Sequence, residues 1–141
     1  MAFTFPSQEW AAEFKKQVQT SPAYKQAAAT WTFGPVALLT KADPAIGLAE
    51  DVGMWLDIER GNCSDVRVVP KAEAEKAPFC ITGEYARWKS VLRKELDPIK
   101  AMMQGKLKVQ GDLPTIVRQV RAANELVELT QQIPTEFPDE T

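Results

Sequence analysis

Asp57 and Glu59 stand two residues apart in an alternating stretch, so a strand there carries both carboxylates on one face. Paired carboxylates are the minimum equipment for general acid–base chemistry, as in a small hydrolase or isomerase. They are also what a half-exposed strand presents to water, and that solvated-face reading is the favoured one. Glu50 and Asp51, just upstream, read as turn polarity. A thiol becomes a nucleophile when a cationic neighbour lowers its pKa. Such a neighbour is a matter of the fold rather than of the sequence, and because free cysteine is usually buried filler, Cys63 and Cys80 read as small buried thiols. Gly105-Lys106-Leu107 lacks the upstream glycine and the downstream Ser or Thr of a phosphate-binding loop.

Composition removes more. The chain has no histidine. This excludes a Ser-His-Asp triad, a Cys-His dyad, an imidazole zinc site and the proton shuttle that works near neutral pH. Two cysteines alone cannot hold a structural zinc, so neither a metal nor a cofactor is expected. The formal net charge of -2 and a pI of about 5.3 argue against a nucleic-acid binder.

Charge is distributed unevenly. Arg87, Lys89, Arg93, Lys94, Lys100, Lys106, Lys108, Arg118 and Arg121 crowd one stretch, and the residues after Arg121 carry only acidic charge. Solvated faces account for this. A surface that transiently meets an anionic membrane is the functional alternative, at ~1 kcal/mol per well-placed cation. The N-terminal residues show neither a basic start nor an apolar core of a signal peptide. A cytoplasmic setting with unpaired thiols is the expectation. The aliphatic run Val36-Ala37-Leu38-Leu39 is far too short to span a bilayer, which takes ~20 residues.

The 141 residues suit a single domain, 1–141, with a tail from about residue 132. Ser7 and Glu9 open a helix whose apolar face repeats at Trp10, Phe14 and Val18. A short second helix spans 23–29. Val52, Met54, Leu56 and Ile58 alternate with polar or small neighbours, the clearest strand pattern in the chain. Strands are expected near 31–40, 52–60, 64–70, 78–83 and 106–110, with a charged, alanine-rich linker over 70–78. Trp88, Val91 and Leu92 form the buried stripe of a helix over 84–95. A short helix from Asp97-Pro98 follows, and one continuous helix runs from Asp112 to about Gln131. Grouped rather than alternating strands indicate an α+β domain with a largely antiparallel sheet.

The run from Asp97 to Asp112, Asp-Pro-Ile-Lys-Ala-Met-Met-Gln-Gly-Lys-Leu-Lys-Val-Gln-Gly-Asp, resembles the signature of the sterol carrier protein type 2 domain family. There a short helix ends at Gly-Lys-Leu, a strand follows, and a Gly-Asp or Gly-Asn pair opens the last helix. The resemblance extends through Trp55-Leu56-Asp57 and Trp88. The C-terminal Asp139-Glu140-Thr141 is not a peroxisomal address, so a stand-alone prokaryotic-type member is the better match. The resemblance implies a five-stranded, mostly antiparallel sheet covered by helices, with an apolar cavity between the layers. It implies a non-enzymatic protein that binds fatty acid, fatty acyl-CoA, sterol or phospholipid. Carried onto this chain, it places Met102, Met103 and Gln104 beside the cavity, with Gln104 as a polar anchor. Strand alternation adds Val36, Leu38, Met54, Leu56 and Ile81. Ile99 closes one end, and Leu113, Val117 and Val120 of the last helix form a cover. The alternative is an accessory subunit that uses the same fold to bind a protein partner.

Overall fold

The alternation over Val52–Glu59 becomes an eight-residue strand that anchors the sheet. The computed structural model describes residues 2–140. In chain order the elements are β1 (Phe3–Thr4), α1 (Gln8–Gln19), α2 (Pro22–Ala27), β2 (Val36–Thr40), β3 (Val52–Glu59), β4 (Asn62–Val69), α3 (Lys71–Ala74), β5 (Phe79–Gly83), α4 (Tyr85–Leu92), α5 (Pro98–Met103), β6 (Lys108–Gln110), α6 (Leu113–Val117), α7 (Val120–Thr130) and β7 (Thr135–Glu136). Five strands form the main sheet in the order β4-β3-β2-β5-β6. Only the β2–β5 pair is parallel, which makes this the α+β, mostly antiparallel sheet the sequence indicates.

Register sorts the side chains. Leu38 lies opposite Met54 and Ile81, and Val36 opposite Leu56, so these residues share one face. Ala37, Leu39, Gly53, Val69 and Cys80 share the other. β3 and β4 are joined through Arg60-Gly61. A Cβ on Gly61 would lie 2.2 Å from the Lys25 carbonyl oxygen, so only glycine fits against α2 there. Ser7 caps α1 by accepting from the Trp10 amide at 3.1 Å, as its position implies. α1 lies along the outer edge of β4. Gln8 accepts from the Val68 amide at 3.0 Å, and the Gln19 side chain donates to the Cys63 carbonyl at 3.0 Å.

Several elements differ from the sequence reading. The first main-sheet strand begins at Val36 rather than 31, because Gly34 takes φ +93° and Pro35 has no N–H to pair. Within the expected linker, α3 forms and buries Ala74 completely against the sheet. The last helix is not continuous. Gln119, at φ -97° and ψ 37°, turns the chain between α6 and α7. The tail is not loose: β7 pairs in parallel with β1. Beyond it, Asp139 accepts from Tyr85 at 2.8 Å and from Lys89 at 2.7 Å. Glu140 pairs with Lys89 at 2.6 Å and with Arg93. The Phe137 ring lies under both cations, 5.3 and 5.0 Å away. Lys94 pairs with Glu128. The acidic tail thus neutralises part of the basic stretch. Cys63 and Cys80 are free and buried. Met1 and Thr141, the last of the three tail residues singled out in the sequence, lie outside the described residues.

Candidate functional site

An apolar cavity of about 150 Å³ lies between the inner sheet face and the helices. Its floor is Val36, Leu38, Thr40, Val52, Met54, Leu56, Ile58 and Ile81. Trp10 and Phe14 of α1, Tyr24 of α2 with Ala28 at its end, and Trp31 close one side. Trp88, Val91 and Leu92 of α4 close another, and Pro98, Ile99 and Met102 of α5 a third. Ile116, Gln119, Ala122, Ala123, Leu126, Val127 and Thr130, from α6 and α7, form the roof. Val52 and Ile58 both line it, so it follows β3 for roughly 20 Å at ~3.3 Å per residue. It is a long, narrow slot. A dry cavity of this volume admits a molecule about the size of benzene. An acyl chain or a sterol enters only if the roof moves outward.

No charged side chain lines the cavity. The tryptophans present ring faces because each indole N–H is bound elsewhere. Trp10 donates to Thr135 at 3.0 Å, Trp31 to the Gly34 carbonyl at 2.8 Å, and Trp88 to the Leu39 carbonyl at 3.0 Å. Thr130 donates to the Val127 carbonyl at 2.6 Å. Burial, with a smaller effect from the Cys63 thiol, pushes the Tyr24 phenol well above its ordinary range. At the seam between α4 and α7, Leu92 and Thr130 line both the cavity and a second, more polar hollow. Gln131 spans that seam by donating to the Leu92 carbonyl at 2.6 Å.

Seven of the twelve residues read from the sequence line this cavity: Val36, Leu38, Met54, Leu56, Ile81, Ile99 and Met102. Five do not. Met103 is 57% exposed, since it lies about 100° round α5 from Met102, on the solvent side. Gln104 is exposed beyond the helix end and does not line the cavity. Val120 is 40% exposed because the break at Gln119 removes it from the stripe that a continuous helix predicts. Leu113 and Val117 pack half-buried against the core without reaching the cavity. The sequence stripes of α1 and α4 already held Trp10, Phe14, Trp88, Val91 and Leu92. Tyr24 and Gln119 had no periodic signal.

Elsewhere the chemistry is bland. Asp57 accepts from Trp55 and Arg67, each at 2.8 Å, on the outer sheet face, and Glu59 is exposed. Burial pushes the Cys63 thiol up to about 11, away from reactivity. Among the described residues no cluster of three or more potential metal ligands occurs, and no helix is long and apolar enough to cross a membrane.

A mostly antiparallel sheet roofed by short helices over an uncharged slot defines a protein shaped to enclose an apolar molecule. The chain belongs to the SCP-2 sterol transfer family, whose model matches residues 13–122. That family consists typically of non-catalytic lipid carriers. A crystal structure of sterol carrier protein 2 superposes with a TM-score of 0.80 at 31% identity, covering 90% of this chain and 97% of that one. The solution structure of a conserved hypothetical protein of Thermus thermophilus, provisionally described as a sterol carrier protein, superposes with a TM-score of 0.82 at 31% identity. It covers 92% of this chain and 90% of the other. A UbiJ-SCP2 ubiquinone synthesis protein shares the fold at 21% identity and a TM-score of 0.50, over 85% of this chain and 90% of that one. No curated protein matches the chain in sequence.

Proposed function

We propose that this protein binds lipid non-enzymatically in the cavity and carries it between membranes or enzymes. The observation that carries this reading is a slot lined without a single charged side chain, in a member of a sterol transfer family. Burial supplies the affinity, at ~0.8 kcal/mol per CH₂ group removed from water. The roof of α6 and α7 supplies the entrance, because two short helices joined at Gln119 can shift without breaking a sheet hydrogen bond. Arg87, Lys100, Lys106, Lys108, Arg118 and Arg121 have no ion pair among the described residues, and they supply attraction to an anionic bilayer.

Native mass spectrometry of the purified protein tests the reading. A bound lipid, released into organic solvent and matched in mass, is the expected result. A persistent protein partner without lipid would favour the accessory-subunit alternative. Protein that stays empty after incubation with anionic phospholipid vesicles would remove the carrier reading.

A further inference from the structure

Resting on the lipid-carrying reading, we infer that the cavity selects an uncharged lipid bearing a hydrogen-bond acceptor, and that the Tyr24 hydroxyl is the group that holds it. Tyr24 lines the cavity and is only 1% exposed. Its hydroxyl makes no hydrogen bond among the described residues. Every buried side-chain polar atom that is sealed from open space does have a partner, so this hydroxyl borders open space. A ligand oxygen that accepts from this phenol keeps a hydrogen bond that an alkane lying over it would forfeit, which favours the acceptor-bearing guest by about the worth of one neutral hydrogen bond. The other aromatic donors of the lining are already engaged: all three indole N–H groups bind protein oxygens.

The position is informative as well. Tyr24 feels the Cys63 thiol, and Cys63 lies opposite Ile58, which places Tyr24 at the Ile58 end of the slot. Thr40, 4% exposed and with no side-chain hydrogen bond among the described residues, lies opposite Val52 at the other end. A linear apolar molecule therefore meets a hydroxyl at either end and hydrocarbon along its length, and of the two the phenol is the stronger donor. The phenol remains a protonated donor across ordinary pH, because burial keeps it so. A ketone, an ester or an alcohol can accept from it. A carboxylate is a poorer guest, because its charge would lose hydration where no Lys or Arg lines the wall.

Competition against the uncharged dye Nile red, with nonane, 2-nonanone and octanoate at pH 7.5, tests this. 2-Nonanone is expected to bind about fivefold more tightly than nonane, the effect of one neutral hydrogen bond. It should bind at least tenfold more tightly than octanoate. Tyr24→Phe removes the advantage of the ketone over nonane. The readout is the ratio of ketone to nonane affinity within each protein, so a change in nonane affinity itself does not enter the comparison. Octanoate binding as tightly as 2-nonanone in the unaltered protein overturns the inference, whether or not the variant folds. So does a ketone advantage that survives in Tyr24→Phe and disappears in Thr40→Val. If nonane itself fails to displace the dye, the lipid-carrying reading falls too; if nonane binds without any ketone advantage, only the Tyr24 assignment falls.

Discussion

The two faces of the main sheet solve one problem in opposite ways. On the outer face, Ala37, Leu39, Val69, Ala74, Ala77 and Cys80 pack into a small cluster under α3, a helix of four residues. The approach is so close that a Cβ on Gly53 would lie 2.9 Å from the Ala74 Cβ. On the inner face, Trp10, Phe14, Tyr24, Trp31 and Trp88 stand between sheet and helices, and a void remains. Small side chains interdigitate to the density of a crystal, whereas rigid rings meet at edges and prop the layers apart. The cavity comes from bulk, not from a shortage of side chains.

One substitution made on both sides gives the sharpest test. Ala37→Leu forces an isopropyl group's worth of extra carbon into the filled face, and urea unfolding should show a loss of ~1–3 kcal/mol. Ala122→Leu extends into the slot from α7. It should leave stability within ~1 kcal/mol while lipid affinity falls about tenfold, or ~1.4 kcal/mol. Equal destabilisation by the two changes would show that the faces do not differ in packing.

A smaller effect separates the faces by pH. The tail clamps α4, on the cavity side of the sheet, through Lys89 to Asp139 and Glu140. Hydrogen bonds from Lys89 hold both carboxyls below the usual carboxylate range. Carboxyls depressed in the folded state contribute stability above their unfolded pKa and lose it as pH falls through the folded one. The thermal midpoint should therefore drop as pH is lowered through and below the ordinary carboxylate range. Lys89→Met should show a shallower drop over the same window. Parallel curves would mean that the tail adds nothing to the cavity side.

Met103→Glu is expected to do least. The side chain already faces solvent, so stability and lipid affinity should both stay within ~0.5 kcal/mol of the unaltered protein. A tenfold loss of binding would place Met103 in the path of the ligand after all.

The sequence made the floor of the cavity legible because a period of two sorts strand residues without reference to anything else. Val36, Leu38, Met54, Leu56 and Ile81 follow from that alternation alone. Helical coverage was less legible. Adjacent residues on a helix are turned by about 100°, and which neighbour of Met102 shares its inward side is set by how α5 is rotated against the sheet: Ala101 is buried and Met103 is not. The break at Gln119 carries no proline or glycine to announce it, and the placement of Val120 depended on its absence. The stripes of α1 and α4 showed which faces are buried, but a stripe does not tell whether it meets other side chains or a void. Tyr24 is a lone aromatic in a six-residue helix, too short for any periodicity. The bond from Lys89 to Asp139 joins residues 50 apart, which no local pattern reveals.

The glutamines at either end of α1 have a consequence for the fate of the chain at high concentration. Open sheet edges are templates on which other chains add strands, the first step toward aggregates and fibrils. Here the longer edge, β4, has its Val68 amide and Cys63 carbonyl occupied by Gln8 and Gln19. The other edge, β6, is three residues long, with Lys106 just before it and Lys108 within it. Strand addition is discouraged on both sides, so a protein with a hollow, weakly filled interior can accumulate without recruiting its own copies into insoluble stacks.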